Sequence, residues 1–195
     1  MKKEKRVLTQ PIEIRAAEDG TRTVRGYASV FDIDSENLGG FIERIAPGAF
    51  DQADMSDVRA LFNHDDNKVL ARSSSGTLRL GVDERGLFYE FDLPNTSYAR
   101  DLAELMDRGD VNQSSFGFTI REDGDEWNYD KKPARRTITK IDRLFDVSVV
   151  TYPAYPDATV ALRTLEQKKE IDEALTAQQA QRERTIQLLT KKVEQ

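Results

Sequence analysis

Short segments of alternating apolar and polar residues recur along the first three quarters of the chain, as in half-buried β-strands. In the clearest of these segments, the residues predicted to face inward are Leu87, Tyr89, Phe91 and Leu93. Less regular runs, rich in β-branched and aromatic residues, predict further strands over 7–16, 23–31, 41–45, 57–64, 76–82, 115–121 and 136–151. About eight strands with two short helices predict a mainly β fold with peripheral helices (α+β), either a barrel or a sandwich.

One internal segment has helical periodicity. Its apolar residues are Tyr98, Leu102, Leu105 and Met106. Residues that cap the free amides of a first helical turn precede it at 95–97, and Gly109 follows it as a helix-ending residue. This predicted helix faces the core and leads directly into the strand at 115–121.

The composition changes at Thr164. From there to Gln195 the chain has no glycine, proline or aromatic residue and is rich in Glu, Gln, Lys and Arg. We therefore divide it into a domain over 1–163 and a charged helical tail over 164–195. The tail has a thin apolar stripe, interrupted by Gln178 and Arg182, so an exposed helix is favoured over a coiled coil.

Charge and length limit the possible functions. The 195 residues carry a net charge of -6, which argues against a dedicated nucleic-acid-binding protein because such proteins usually have a basic face. Since no apolar stretch approaches the length of about 18 residues that a membrane-spanning helix needs, we expect a soluble protein that does not bind membranes.

The residue counts also limit the chemistry. The chain has no cysteine and one histidine, which excludes disulfides, thiol catalysis and thiolate zinc sites and makes a catalytic zinc improbable. The loop Asp32–Gly40, with Glu43, has carboxylates at spacing like that of a calcium loop, but Asn37 stands where such a loop needs glycine. We expect no cofactor and no metal, and a solvated or lid-like loop here.

Ser114 and Ser115 lie where a chain reversal meets a strand. Alternation places Ser114 on the apolar face, with Phe116 and Phe118, and directs Ser115 to the other face, beside Gly117. A glycine within a strand often marks a close approach of a ligand or another backbone. Ser115 is therefore the candidate nucleophile facing a cleft, with Ser114 as the alternative.

His64 is the candidate general base. It ends the apolar run from Val58 to Phe62 and begins a polar loop, where catalytic groups are often held. A serine hydroxyl is a weak nucleophile near neutral pH, and imidazole is the side chain best suited to accept its proton.

Because there is only one histidine, a third catalytic residue must be a carboxylate. If the run at 136–151 pairs antiparallel with 115–121, Asp146 comes near the level of Ser115. Asp146 is then the candidate that orients His64. Asp65, Asp66 and Asp142 stay open as alternatives.

Five short segments lie between about Arg22 and Ala161, namely Pro47–Phe50, Leu61–Asp65, Gly109–Val111, Ser115–Phe118 and Asp146–Pro156. Together they resemble a known family, the prohead serine proteases of tailed bacteriophages. The resemblance favours Ser115 over Ser114. That family more often has glutamate at the position of Asp146, so aspartate would require a closer approach to His64.

The resemblance implies a fold like that of the herpesvirus assemblins, a β-barrel ringed by helices. It implies a serine endopeptidase that cleaves the scaffolding portion of the phage major capsid protein, and itself, during prohead maturation. It also implies a homodimer that works in the bacterial host cytoplasm, inside the procapsid, with a tail that binds scaffold or is removed by self-cleavage.

Two other functions stay open. The charged tail and acidic composition would also suit a non-enzymatic capsid scaffold or assembly protein. A metal hydrolase using the loop from Asp32 to Glu43 is the third hypothesis.

Overall fold

The computed structural model describes residues 3–8, 12–152 and 158–193, with the backbone alone at 7, 8, 158–164, 167 and 188–193. The strands are β1 Glu4–Leu8, β2 Glu13–Ala16, β3 Arg22–Val30, β4 Phe41–Ile45, β5 Arg59–Phe62, β6 Val69–Arg72, β7 Leu78–Val82, β8 Gly86–Asp92, β9 Gln113–Ile120, β10 Asp125–Asn128, β11 Ala134–Ile138 and β12 Ile141–Val150. The α-helices are α1 Ser97–Asp107 and α2 Ala158–Val193.

The strands form three hydrogen-bonded sheets. Five strands make the first sheet in the order β1-β9-β12-β5-β6, four make the second in the order β2-β3-β8-β7, and three make the third in the order β10-β11-β4. Pairing is antiparallel except between β12 and β5 and between β11 and β4, which run parallel. The middle of the five-stranded sheet is the part of the fold that positions the candidate site.

One apolar core joins the five-stranded sheet, the four-stranded sheet and α1. Phe118 of β9, Phe91 of β8 and Leu102 of α1 are all fully buried within it. Burial of each such side chain contributes about 1.5–3 kcal/mol to folding. The apolar faces that alternation predicted for β8, α1 and β9 therefore meet each other, which fixes β9 against a rigid support.

The predicted fold class is confirmed, because the chain is mainly β with helices at the periphery. Within the described residues the strands form three sheets rather than one closed barrel. The predicted strand at 7–16 is wrong as a single element: β1 and β2 belong to different sheets, and Pro11, which has no amide hydrogen for a ladder, lies between them. The predicted run at 136–151 likewise divides into β11 and β12.

The C-terminal part of the chain is the long helix α2, which includes most of the predicted tail. Three large apolar side chains of α2, Ile171, Leu175 and Ile186, are about half exposed. In the part of the chain that the structure describes, no helix combines the length and the apolar character needed to cross a membrane. The division at 163/164 stays a prediction.

Candidate active site

Ser115 lies on β9, between the edge strand β1 and the central strand β12. The register places it opposite Val7 of β1 and Ser148 of β12. Its neighbour Ser114 donates a hydrogen bond to the Tyr89 hydroxyl, 3.1 Å away on the core side of the sheet. The two serines therefore point to opposite faces, as the alternation predicts.

His64 lies in a tight turn directly after β5. Asn63 and His64 both have positive φ angles, of 56° and 55°, and the Asp65 amide donates to the Phe62 carbonyl across them. For residues other than glycine this left-handed conformation is unfavourable in free energy, although asparagine tolerates it better than most. Such strain persists only where surrounding contacts impose it, which makes the turn a candidate functional feature.

Asn63 supplies those contacts by joining the turn to the end of β12. Its amide donates to the Val149 carbonyl at 2.9 Å, and its side-chain oxygen accepts from the Thr151 amide at 2.9 Å. The histidine turn is thereby attached to the strand that carries Asp146.

Asp146 lies on β12, opposite Gly117 of β9 and beside Arg59 of β5. It is 1% exposed. The antiparallel pairing of β12 with β9, expected from the sequence, brings this carboxylate onto the same face of the sheet as Ser115.

The side chains of Ser115, His64 and Asp146 form one continuous chain of polar contacts. His64 Nε2 is 2.6 Å from Ser115 Oγ, and His64 Nδ1 is hydrogen-bonded to Asp146 Oδ1. Each ring nitrogen therefore has the neighbour that acyl transfer would require: the hydroxyl on one side and the carboxylate on the other.

The alternative carboxylates have other partners. Asp65 accepts hydrogen bonds from Asn67 within its own turn, and Asp142 accepts one from the Thr119 hydroxyl at 3.0 Å. Asp66 is exposed. Asp146 is thus the carboxylate that the structure brings to His64.

Acidic residues of the 32–43 loop region bind arginines. Asp34 pairs with Arg44 and Arg135, each at 2.9 Å or less, and Glu43 pairs with Arg6 and Arg136. Across the described residues, no group of three or more histidines and carboxylates is arranged to hold a metal ion.

Three neighbours of the site were not recognised in the sequence in these roles. Ser148 donates to Asp146 Oδ1 at 2.9 Å, and its hydroxyl lies 3.2 Å from His64 Nδ1. The Lys3 ammonium lies 2.7 Å from Asp146 Oδ2. A Cβ atom at Gly117 would lie 2.5 Å from that same oxygen, so the glycine leaves room for the carboxylate.

The sequence marks Gly117 as a point of close approach, and the position of Ser148 also carried a signal. Ser148 is two residues after Asp146 on a strand, and residues at that spacing share a face. The approach of Lys3 comes from a distant part of the chain and has no local pattern.

The charge state of Asp146 follows from its surroundings. Burial by itself would raise the pKa of this carboxyl group, but the hydrogen bond and charge of His64, together with Lys3, outweigh it and lower the pKa to about 2. Asp146 is therefore an anion at neutral pH, which is the state that orients and stabilises an imidazolium.

One feature of the site differs from the expectation. Alternation predicts that Ser115 faces a cleft, whereas its exposed fraction is 0%. Its hydroxyl also lies within hydrogen-bond distance of the Arg6 carbonyl, at 2.8 Å. In this structure β1 lies where an open cleft was expected.

Most of the chain matches a known protein family. The family described as caudovirus prohead serine protease matches residues 10–173, which is most of the chain. The chain belongs to this family. The match extends over β2 to β12 and into α2, and so includes Ser115, His64 and Asp146.

The chain is similar to two individual phage proteins. Over 155 residues the chain is 34% identical to the prohead protease of Enterobacteria phage HK97, and this match covers 76% of the chain. It covers 64% of the HK97 protein, so the chain spans somewhat less than two thirds of that relative. The solved structure of the capsid assembly protease of bacteriophage T4 matches 76% of this chain and 96% of its own, with a TM-score of 0.48 and 10% sequence identity.

Proposed function

We propose that this protein is a serine endopeptidase that cleaves the scaffolding portion of a phage major capsid protein, and itself, during prohead maturation. The observation that carries the proposal is the contact of one imidazole with both the Ser115 hydroxyl and the buried Asp146 carboxylate. Family membership supports the substrate class.

The reaction is acyl transfer. Ser115 Oγ attacks the carbonyl carbon of the scissile peptide bond while His64 Nε2 accepts the hydroxyl proton. His64 then gives that proton to the leaving amine, and an acyl group stays on Ser115. A water molecule, deprotonated by the same imidazole, hydrolyses the ester and restores the hydroxyl.

Asp146 assists without exchanging a proton. Its hydrogen bond to Nδ1 selects the tautomer that leaves Nε2 free to accept, and its negative charge stabilises the imidazolium formed during attack. The Ser148 hydroxyl, bonded to the same carboxylate oxygen, holds the carboxylate in that orientation.

Co-expression with the cognate capsid protein, followed by mass spectrometry of the products, tests the proposal. We expect processing by the wild type and none by Ser115→Ala or His64→Ala, because loss of either group from such a triad reduces turnover by about a millionfold. Ser114→Ala is the matched control, since it removes an adjacent buried hydroxyl that donates to Tyr89 on the core side of the sheet.

Retained processing in Ser115→Ala would contradict the proposal, as would loss of processing in a folded Ser114→Ala variant alone. A non-enzymatic scaffold protein would give no cleavage with any variant, including the wild type.

The assembly and the tail belong to the same proposal. We infer a homodimer acting inside the procapsid in the host cytoplasm, and a tail over 164–195 that binds scaffold or is removed by self-cleavage. The half-exposed apolar residues of α2 are available to contact a scaffold helix. Light scattering measures the oligomeric state, and the mass of the purified protein after co-expression reveals removal of the tail.

A further inference from the structure

β1 covers the candidate nucleophile. This strand runs antiparallel to β9 from Glu4 to Leu8, with Val7 opposite Ser115. Ser115 is fully buried, and the Arg6 carbonyl oxygen lies 2.8 Å from its hydroxyl oxygen. A peptide substrate needs its own carbonyl close to this hydroxyl, so it cannot bind productively while β1 is in place.

The contact with Arg6 also opposes activation of the serine. A hydroxyl has one proton to donate. When Ser115 donates it to the Arg6 carbonyl, that proton is not directed at His64 Nε2, although the two side chains are only 2.6 Å apart. This contact therefore favours an inactive arrangement of an otherwise assembled triad.

Two charged side chains of β1 are bound by groups of opposite charge in the rest of the domain. The Arg6 guanidinium binds Glu43 through two hydrogen bonds, of 2.6 and 2.7 Å. Glu43 is 3% exposed, so this bidentate pair is shielded from water. Arg6 thus fills an anionic pocket.

Glu4 meets a complementary cation two residues earlier in the strand. Arg136 donates to its two carboxylate oxygens at 2.8 and 3.1 Å. Burial alone would raise the pKa of Glu4, but Arg136 and Arg6 outweigh it and lower the pKa, so Glu4 is bound as a carboxylate.

The receiving groups have partners that do not depend on β1. Arg136 also lies 3.0 Å from Glu43 and 2.8 Å from Asp125. The pocket therefore keeps its arginine and its carboxylates in place when the strand leaves, with one oxygen of Glu43 free to bind a new guanidinium.

β1 is separable from the rest of the domain. The family match begins at residue 10, after β1 ends, and the strand occupies one edge of its sheet. Without it, β9 becomes the edge and presents unpaired amide and carbonyl groups beside Ser115. Such an edge binds extended peptides by adding them as a further strand.

We propose that the β9 edge, with Glu43 and Arg136, is a binding site for an extended peptide that carries a carboxylate and an arginine two residues apart, and that β1 is its internal occupant. The occupant keeps Ser115 covered until it is displaced. The part that concerns Ser115 rests on the proposed function. Because a tethered strand has an effective concentration on the order of millimolar, a peptide in solution competes poorly with it.

The rate at which a fluorophosphonate probe labels Ser115 in the full-length protein measures how well β1 shields this residue. Arg6→Glu places a carboxylate against Glu43, so we expect at least tenfold faster labelling than in the wild type. Lys5→Glu is the matched control, because it makes the same charge change on the same strand at an exposed side chain, and we expect a rate within twofold of the wild type. Arg6→Ala is the milder substitution if Arg6→Glu does not fold.

Fluorescence anisotropy with a labelled peptide of residues 1–11 measures the affinity of the proposed peptide site and does not depend on enzymatic activity. We expect it to bind the Arg6→Glu protein at least tenfold more tightly than the wild type. A peptide with glutamate at the position of Arg6 should bind at least tenfold more weakly than the natural one.

The outcomes separate this inference from the proposed function. His64-dependent labelling at one rate in the wild type and both Arg6 variants, without peptide binding, would overturn the inference and leave the peptidase intact. Specific peptide binding without labelling of any variant would support the site and overturn the peptidase. If no variant is labelled and no peptide binds, the proposed peptide site and the peptidase assignment are both overturned.

Discussion

Gly117 leaves space for the carboxylate of the proposed triad, and this role can be tested by adding one methyl group. In Gly117→Ala the new Cβ atom would lie 2.5 Å from Asp146 Oδ2 and 2.6 Å from Lys3 Cε. The Lys3 side chain is 39% exposed and can move aside. The Asp146 carboxylate is held by His64 and Ser148, so its displacement disturbs the triad.

The size of the effect follows from the size of the overlap. Carbon and oxygen atoms that are not bonded approach to roughly 3.5 Å, so the carboxylate must shift by about 1 Å. A misplacement of about 1 Å can reduce catalysis about a hundredfold, while an incorrectly held imidazole tautomer costs about ten-thousandfold. We therefore expect kcat/KM to fall by between about one hundredfold and about ten-thousandfold.

The assay is cleavage of the proposed capsid substrate by the purified protein, with thermal unfolding measured in parallel. Gly26→Ala is the matched control, because it adds a methyl group to another strand glycine whose Cβ would lie 3.1 Å from the Tyr89 hydroxyl. We expect both variants to fold, since alanine is compatible with strand geometry. Full activity in a folded Gly117→Ala protein would refute the argument.

Three further predictions concern the acid and the core. Asp146→Asn should lower kcat/KM by about ten-thousandfold, measured with the same assay. Because folding lowers the pKa of Asp146 from 3.8 to about 2, its contribution of about 2 kcal/mol is present above pH 4 and is lost as the pH falls through 2. Urea unfolding should therefore show a smaller loss of stability between pH 5 and pH 2 in Asp146→Asn than in the wild type. Leu102→Ala, which truncates a fully buried side chain of α1, should lower the free energy of unfolding by about 2–5 kcal/mol; a loss under 1 kcal/mol would contradict the assigned core.

Local patterns predicted the elements that hold the site. The helical spacing before Gly109 corresponds to α1, and the alternation at 87–93 and 115–121 corresponds to β8 and β9. These predictions succeeded because burial of one face imposes a period of 2 in a strand and 3.6 in a helix. The same alternation separates Ser114 from Ser115, and it needs no knowledge of distant contacts.

The surroundings of the site could not be derived in this way. The positive φ angles of Asn63 and His64 are imposed by the end of β12, more than 80 residues away. The contact of Lys3 with Asp146 crosses the sheet and has no sequence period. Sequence reasoning identified Gly117 as a point of close approach, but only the register of β9 and β12 reveals that the approaching group is Asp146.

The sequence by itself determined the mainly β class, the helix before the serine strand, and the short list of one histidine, two serines and a few acids. Those features depend on neighbouring residues and on the kinds of side chain present. Tertiary structure alone decided which acid meets His64, which groups steady it, and that β1 lies over Ser115. Each of these depends on strand order and register between segments far apart in the chain, which local periodicity does not encode.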